Sequence, residues 1–269
     1  MRRAPERVLR SKKRRGESAV ARDELEGTIE PVEEFVLEML ETMEGLSGMS
    51  MRDDDERKIE DLIDAARLAA LEGLVVATSG NMSVALDDGR IAITAARSWL
   101  RRVGREDIVI LPLETRGSDA PSGVAGGTER RPSRETPMHL AIYRSAPHVG
   151  SVLHFQSPAA TALACSADAP SSLDLIPEVP VYVRRPAWVD WLEPGSEELA
   201  RAVSNALKSE ETRVVQLRNH GQVAVGLDPL QAIERAAFFE LACRIWLETS
   251  GRQRLFLSET ARDSLYRYG

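Results

Sequence analysis

Gly150-Ser151-Val152-Leu153-His154-Phe155-Gln156-Ser157-Pro158 is the stretch on which the reading of the fold turns. Its first half is a short apolar run read as a buried strand, Gly150–His154, and a helical pattern follows at once over Ser157–Cys165. The same alternation extends outward. Further β-rich runs stand at Ile91–Thr94, Ile108–Leu111, Val179–Val183, Val214–Leu217 and Val223–Val225, and helical patterns at Glu135–Arg144, Glu197–Lys208 and Pro229–Ser250. Upstream, Ile59, Leu62, Ile63, Ala66, Leu68, Ala69 and Leu71 form an amphipathic helix that Gly73 can close. Strands with helices between them predict an α/β domain, one sheet covered on both faces.

The 269 residues, 43% of them hydrophobic, suffice for one large domain. A net charge of −7 argues against general nucleic-acid binding, which needs clustered cations to displace counterions. Cys165 and Cys243 are the only cysteines and lie far apart, which argues against a disulfide framework or a cysteine zinc site and fits a reducing cytoplasm. No apolar run approaches the roughly 18 residues of a membrane span. Residues 1–20 hold eight Lys/Arg against two Glu, and residues 21–60 four against fourteen Asp/Glu, so residues 1–54 read as a charged, disordered extension. Its basic start is open to several readings: an acidic partner's contact, a transit peptide, a solvated tail, or a start codon placed too early. A short helix fits Val32–Leu40 within it, and Arg116–Pro132, rich in Gly, Ser and Pro, reads as a mobile loop leading into Glu135.

Two of the four histidines fall where functional groups gather: His154 at a strand end, and His220 in the Arg218-Asn219-His220-Gly221 turn between two short strands. Either alone reads as a satisfied structural histidine. Glu135 alone reads as a solvated carboxylate at a helix start. His139 falls four residues after Glu135 on the same helical face and reads as a packing or hydrogen-bonding residue, while His148 reads as exposed.

The order of motifs carries more. Thr78-Ser79-Gly80-Asn81-Met82-Ser83, Ile93-Thr94, Pro132-Ser133-Arg134-Glu135 leading to Met138-His139 and Ile142-Tyr143, Ser151–Pro158, Pro194-Gly195-Ser196, and Asn219-His220-Gly221 before a helix with Glu240 follow one another over residues 56–250. In that order they resemble the class II aldolase/adducin family. The resemblance implies a three-layer αβα domain over residues 55–251 with a mixed or antiparallel sheet, and a tail or helix over 252–269. It also implies that His154 and His220 hold one divalent metal, with Gln156 at the third ligand position, that Glu135 is the acid/base, and that Asn81 and Ser133 contact an anionic substrate. A metal polarises neighbouring substrate oxygens, and a carboxylate moves the proton.

Two departures from the family pattern shape the expectation. Gln156 stands where the family has the second histidine of a pair, and an amide oxygen is a poorer zinc ligand than imidazole. Zn²⁺ is therefore expected first, with Mn²⁺ or Mg²⁺ as alternatives and weaker binding than three histidines would give. Thr94-Ala95-Ala96-Arg97 and Ser133-Arg134 replace the small hydroxyl-rich phosphate turns, placing Arg97 and Arg134 as a clamp for phosphate or carboxylate or, alternatively, as surface arginines. The expected protein is a cytoplasmic metal-dependent lyase of aldolase or dehydratase type that acts through an enediolate on a small anionic hydroxycarbonyl or sugar phosphate. It is expected to assemble as a homotetramer, with C-terminal Tyr266 or Tyr268 near a neighbour's site, and to bind neither nucleic acid nor membrane. The rival reading is a non-catalytic adducin-like assembly protein.

Overall fold

The structure is a computed structural model and describes residues 53–115, 130–167 and 170–268. The chain divides into Met1–Ser50 and Met51–Gly269, and the architecture below belongs to the second unit. The helix expected at Val32–Leu40, most of the Arg116–Pro132 loop and nearly all of the 1–54 extension lie outside the described residues.

Helix α1 covers residues 53–71. Seven strands follow: β1 (Asn81–Ala85), β2 (Arg90–Thr94), β3 (Ile108–Pro112), β4 (Ser151–Phe155), β5 (Ala187–Val189), β6 (Val214–Leu217) and β7 (Gly221–Gly226). Between and after them run α2 (Thr136–Ser145), α3 (Pro158–Ala164), α4 (Glu197–Ala206), α5 (Pro229–Glu248) and α6 (Glu259–Leu265). The strands form one sheet in the order β3-β2-β1-β4-β7-β6-β5. Every neighbour is antiparallel except β5 and β6, so the sheet is mixed.

Side-chain alternation sorts the strands onto two cores. Met82, Val84, Ala92, Leu153, Phe155 and Ala224 pack with the apolar stripes of α1, α3 and α5. Ile91, Ile93, Val152, Val215, Leu217, Val223 and Val225 pack with α2 and α4. The molecule is thus helix, sheet, helix. By the same parity Asn81, Ser83 and His154 turn toward the α2 side, which places polar groups among buried aliphatics.

One expected strand fails. Val179–Val183 is a π-helical turn and not a strand. Pro180 removes a ladder donor, and the segment instead packs on α5, where Tyr182 stacks on Phe238 with ring centroids 4.5 Å apart. The edge position is taken by Ala187–Val189, too short to announce itself as a strand. His148 is half-buried where exposure was expected.

Candidate active site

The site forms where β4 ends and β7 begins. His154 is the fourth residue of β4, and His220 ends the turn from β6 into β7, where Asn219 adopts a left-handed φ of 53°. Antiparallel pairing of β4 with β7 brings the two imidazoles together, ring centroids 5.0 Å apart and edge to face. The approach requires Gly221: a Cβ there would lie 2.6 Å from the Phe155 carbonyl oxygen, 2.8 Å from Gln156 Cγ and 3.3 Å from His154 Cε1. Gln156 and His154 therefore crowd the same glycine, and among the described residues no hydrogen bond joins the Gln156 amide to either histidine.

Glu135 arrives from the other core. It is the residue before α2, yet its side chain does not cap the helix. The carboxylate is 6% exposed, with Oε1 3.9 Å from His220 Nε2, a distance too long for a hydrogen bond. Its entry is shaped by Ser133, whose hydroxyl accepts the Glu135 N–H at 3.3 Å and whose carbonyl accepts from Thr136 Oγ1 at 2.6 Å. Burial pushes the Glu135 pKa up, and the Gly195 backbone and the Arg134 guanidinium pull it partly back. Gly195 is needed for that approach: its φ is +80°, and a Cβ would come within 2.8 Å of Arg134 Cγ.

The protonation of the histidines suits ligand binding. His154 Nδ1–H donates to the Gln222 carbonyl at 2.9 Å, which leaves the Nε2 lone pair for another partner. Burial, with a smaller contribution from His220, holds its pKa down to about 3, so the ring is neutral at pH 7. His220 is also lowered by burial. Glu135 Oε2 and His220 Nδ1 are buried without a hydrogen-bond partner, which is rare for polar atoms and marks where a ligand belongs. Among the described residues no group of three His, Cys, Asp or Glu is arranged to hold a metal ion. A metal set here needs an amide as its third protein donor, and the two neutral imidazoles with a neighbouring Gln156 fit a divalent ion of borderline hardness.

The remaining predicted residues divide. Asn81 is buried, and its backbone pairs with that of His154 across β1 and β4. Arg97 is exposed, sits at a left-handed φ of 62° and has no hydrogen bond or ion pair among the described residues. Its turn is nevertheless stitched to the approach to Glu135, since Ala96 N–H donates to the Arg131 carbonyl and Ala95 bridges Pro132. Arg134 is 72% exposed and pairs with Glu193 at 3.0 Å. Tyr266 is held by its own chain, its carbonyl accepting from Arg184 Nη2 at 3.1 Å, whereas Tyr268 is 78% exposed.

Sequence reasoning missed the supports. The Gln222 carbonyl behind His154 and the Gly195 backbone beside Glu135 act through main-chain atoms, which no side-chain pattern signals. Glu240 accepts the Ala159 and Ala160 N–H groups at 3.0 and 2.8 Å, holding the start of α3 just after Gln156.

A buried carboxyl of raised pKa thus stands beside a pair of imidazoles of lowered pKa in a helix-sheet-helix fold. The class II aldolase and adducin N-terminal domain family matches residues 60–247. The 3-oxo-tetronate 4-phosphate decarboxylase of Haemophilus influenzae is 30% identical over 200 residues, covering 73% of this chain and 90% of that protein. An L-fuculose phosphate aldolase of Methanococcus maripaludis is 32% identical over 167 residues, 62% of this chain and 83% of the other. Among solved structures, YgbL of Klebsiella pneumoniae superposes with a TM-score of 0.69 at 22% identity, covering 78% of this chain and 98% of that one, a likeness of fold. The chain belongs to the class II aldolase and adducin family, as a lyase-type enzyme.

Proposed function

We propose that this protein is a metal-dependent lyase that breaks a bond next to a carbonyl in a small phosphorylated or carboxylated hydroxycarbonyl compound. The observation that carries the reading is the Glu135 carboxyl, buried and raised in pKa, 3.9 Å from His220 Nε2, with the His154 ring packed edge to face on His220. A carboxyl whose pKa is raised toward neutrality can give and take a proton at working pH.

His154 and His220 would hold the metal, with Gln156 as the third donor. Bound there, a divalent ion supplies charge stabilisation to substrate oxygens as an enediolate develops. Glu135 delivers or removes the proton at the carbon or oxygen of the broken bond. Asn81 and the Ser133 segment contact the substrate's anionic group, and Arg97 and Arg134 stand at the rim as its clamp. The named activities of the relatives support this reading, because loss of CO₂ from a 3-oxo acid and reverse aldol cleavage both leave an electron pair beside a carbonyl. Decarboxylation thus joins aldol cleavage and dehydration as a candidate outcome. Assembly as a cytoplasmic homotetramer belongs to the same proposal; exposed Trp99, Trp191, Leu255 and Tyr268 supply apolar surface for it.

The experiment is an assay of carbon–carbon cleavage over a panel of 3-oxo acid phosphates and ketose phosphates, before and after chelation and after readdition of Zn²⁺ or Mn²⁺. Turnover that disappears with chelator and returns with metal is expected. Turnover indifferent to chelation would overturn the metal-dependent reading.

A further inference from the structure

Four polar groups form a buried line between β1 and α2. Strand parity turns Asn81 and Ser83 toward α2, while His139 and Tyr143, four residues apart, share the helix face that meets them. Tyr143 Oη lies 2.8 Å from Ser83 Oγ, Ser83 Oγ lies 2.7 Å from His139 Nδ1, and His139 Nε2 lies 2.6 Å from Asn81 Oδ1. All four residues are buried. Burial, aided by the charge of His154 when present, holds His139 down to about 3, so its ring is neutral with one N–H and one lone pair.

Protons can thread this line in two directions. In one, Tyr143 donates to Ser83, Ser83 donates to His139 Nδ1, and His139 Nε2–H donates to the Asn81 carbonyl oxygen. Every proton along the line then has an acceptor. In the other, the Asn81 amide nitrogen donates to His139 Nε2 and His139 Nδ1–H donates to Ser83. That leaves either the serine or the phenol proton without an acceptor, because the one further partner of either hydroxyl among the described residues is the Val152 backbone, whose N–H donates to the phenol oxygen and so takes up no proton. A buried donor without a partner is costly, so the first direction prevails. In it the Asn81 amide nitrogen has no acceptor among the described residues, on the strand position that pairs with His154.

We propose that His139 is a positioning residue that fixes the Asn81 amide by its carbonyl oxygen, turning the NH₂ group to the substrate and making Asn81 a dedicated donor to the anion. The inference rests on the reading above that Asn81 contacts the substrate's anionic group. His139 itself touches no substrate. An unrestrained asparagine offers either its oxygen or its nitrogen, and its oxygen would repel a phosphate. The line Tyr143-Ser83-His139 removes that choice before the substrate arrives.

The test uses the full-length protein and inorganic phosphate as the probe. Long-range ¹H–¹⁵N correlation on histidine-labelled protein should show His139 as the neutral Nε2–H tautomer at pH 7; an Nδ1–H tautomer would overturn the proposal. Phosphate titration should show Asn81→Ala and His139→Leu each weakening binding by about 10-fold, with no further loss in the double variant. His139→Gln, which retains a side-chain N–H, should recover much of that loss. Should His139→Leu fail to fold, Ser83→Ala serves in its place. Without the Ser83 donor, His139 should populate both tautomers and phosphate binding should weaken by about 2- to 5-fold, on the same scale of one hydrogen bond. If Asn81→Ala weakens phosphate but the His139 or Ser83 variants do not, positioning is wrong and the anion contact stands. If Asn81→Ala itself changes nothing, the anion-contact reading has failed, and this inference with it.

Discussion

The two halves of the site are built in opposite ways. Glu135 and His154 are buried and His220 is half-buried, and each is set by main-chain geometry: the Ser133 turn, the Gln222 carbonyl and the glycines at 195 and 221. Arg97 and Arg134 are exposed, one without a partner among the described residues and the other paired to Glu193 across a solvent-facing gap. The contrast separates groups whose protonation state must be fixed from groups whose charge is permanent. A guanidinium remains charged in water and needs no protected setting, whereas a carboxyl raised in pKa exists only where water is excluded. On the proposed reading, chemistry sits in the buried part of the site and recognition at its rim.

The largest effect should come from the centre. Glu135→Gln removes the proton-handling group and should lower kcat by about 100-fold or more with little change in melting of the loaded protein. The metal-free protein gives a second readout with a definite sign. Because burial raises the folded pKa of Glu135 above its ordinary 4.5, its contribution to stability is full below 4.5 and is lost as pH rises through the raised value. The glutamine variant should accordingly melt higher than wild type at pH 7, and the gain should shrink toward pH 4.5. Equal melting across that range would mean that the carboxylate is solvated in solution, and the contrast with the rim would collapse.

An intermediate effect is expected at the border of the two halves. Gln156→His exchanges an amide for an imidazole beside Gly221 and should tighten Zn²⁺ by about 10-fold or more in competition with a chelator. Unchanged affinity would remove Gln156 from the ligand set. The smallest effect belongs to the rim. Arg97→Ala or Arg134→Ala should weaken phosphate or carboxylate binding by about 10-fold, as expected for one charge-assisted contact. Melting should hardly move, since an exposed pair such as Arg134–Glu193 contributes about 0–1 kcal/mol. Calorimetric titration beside a melting curve measures both, and anion affinity unchanged in both variants would return the arginines to ordinary surface.

The elements legible in the sequence were those with a period. Helix α5 and the Val214–Leu217 strand are nearly as the apolar pattern placed them, because each meets its core along a full stripe or face. β1 was visible only as a motif: Asn81 and Ser83 interrupt the alternation of apolar residues with polar groups that are themselves buried. Val179–Val183 misled because a run of valines suits a strand, and only the packing of Tyr182 on Phe238 decides otherwise. In the site, the residues carrying side-chain chemistry could be named from motif order. Their protonation could not, since the neutral state of His154 comes from its burial and its tautomer from a carbonyl 68 residues away in sequence.

Glu240 has a consequence of a different kind. Its carboxylate grips the first N–H groups of α3 from the middle of α5, the longest helix in the sheet-covering layer, and α3 begins two residues after Gln156. The short segment between β4 and α3 is thereby clamped at both ends, by the sheet at Phe155 and by a carboxylate at Ala159 and Ala160. A segment restrained in this way cannot retreat when a bulkier side chain replaces Gln156. Replacing Gln156 by histidine would then change the side chain on a fixed frame, and the frame is anchored by α5.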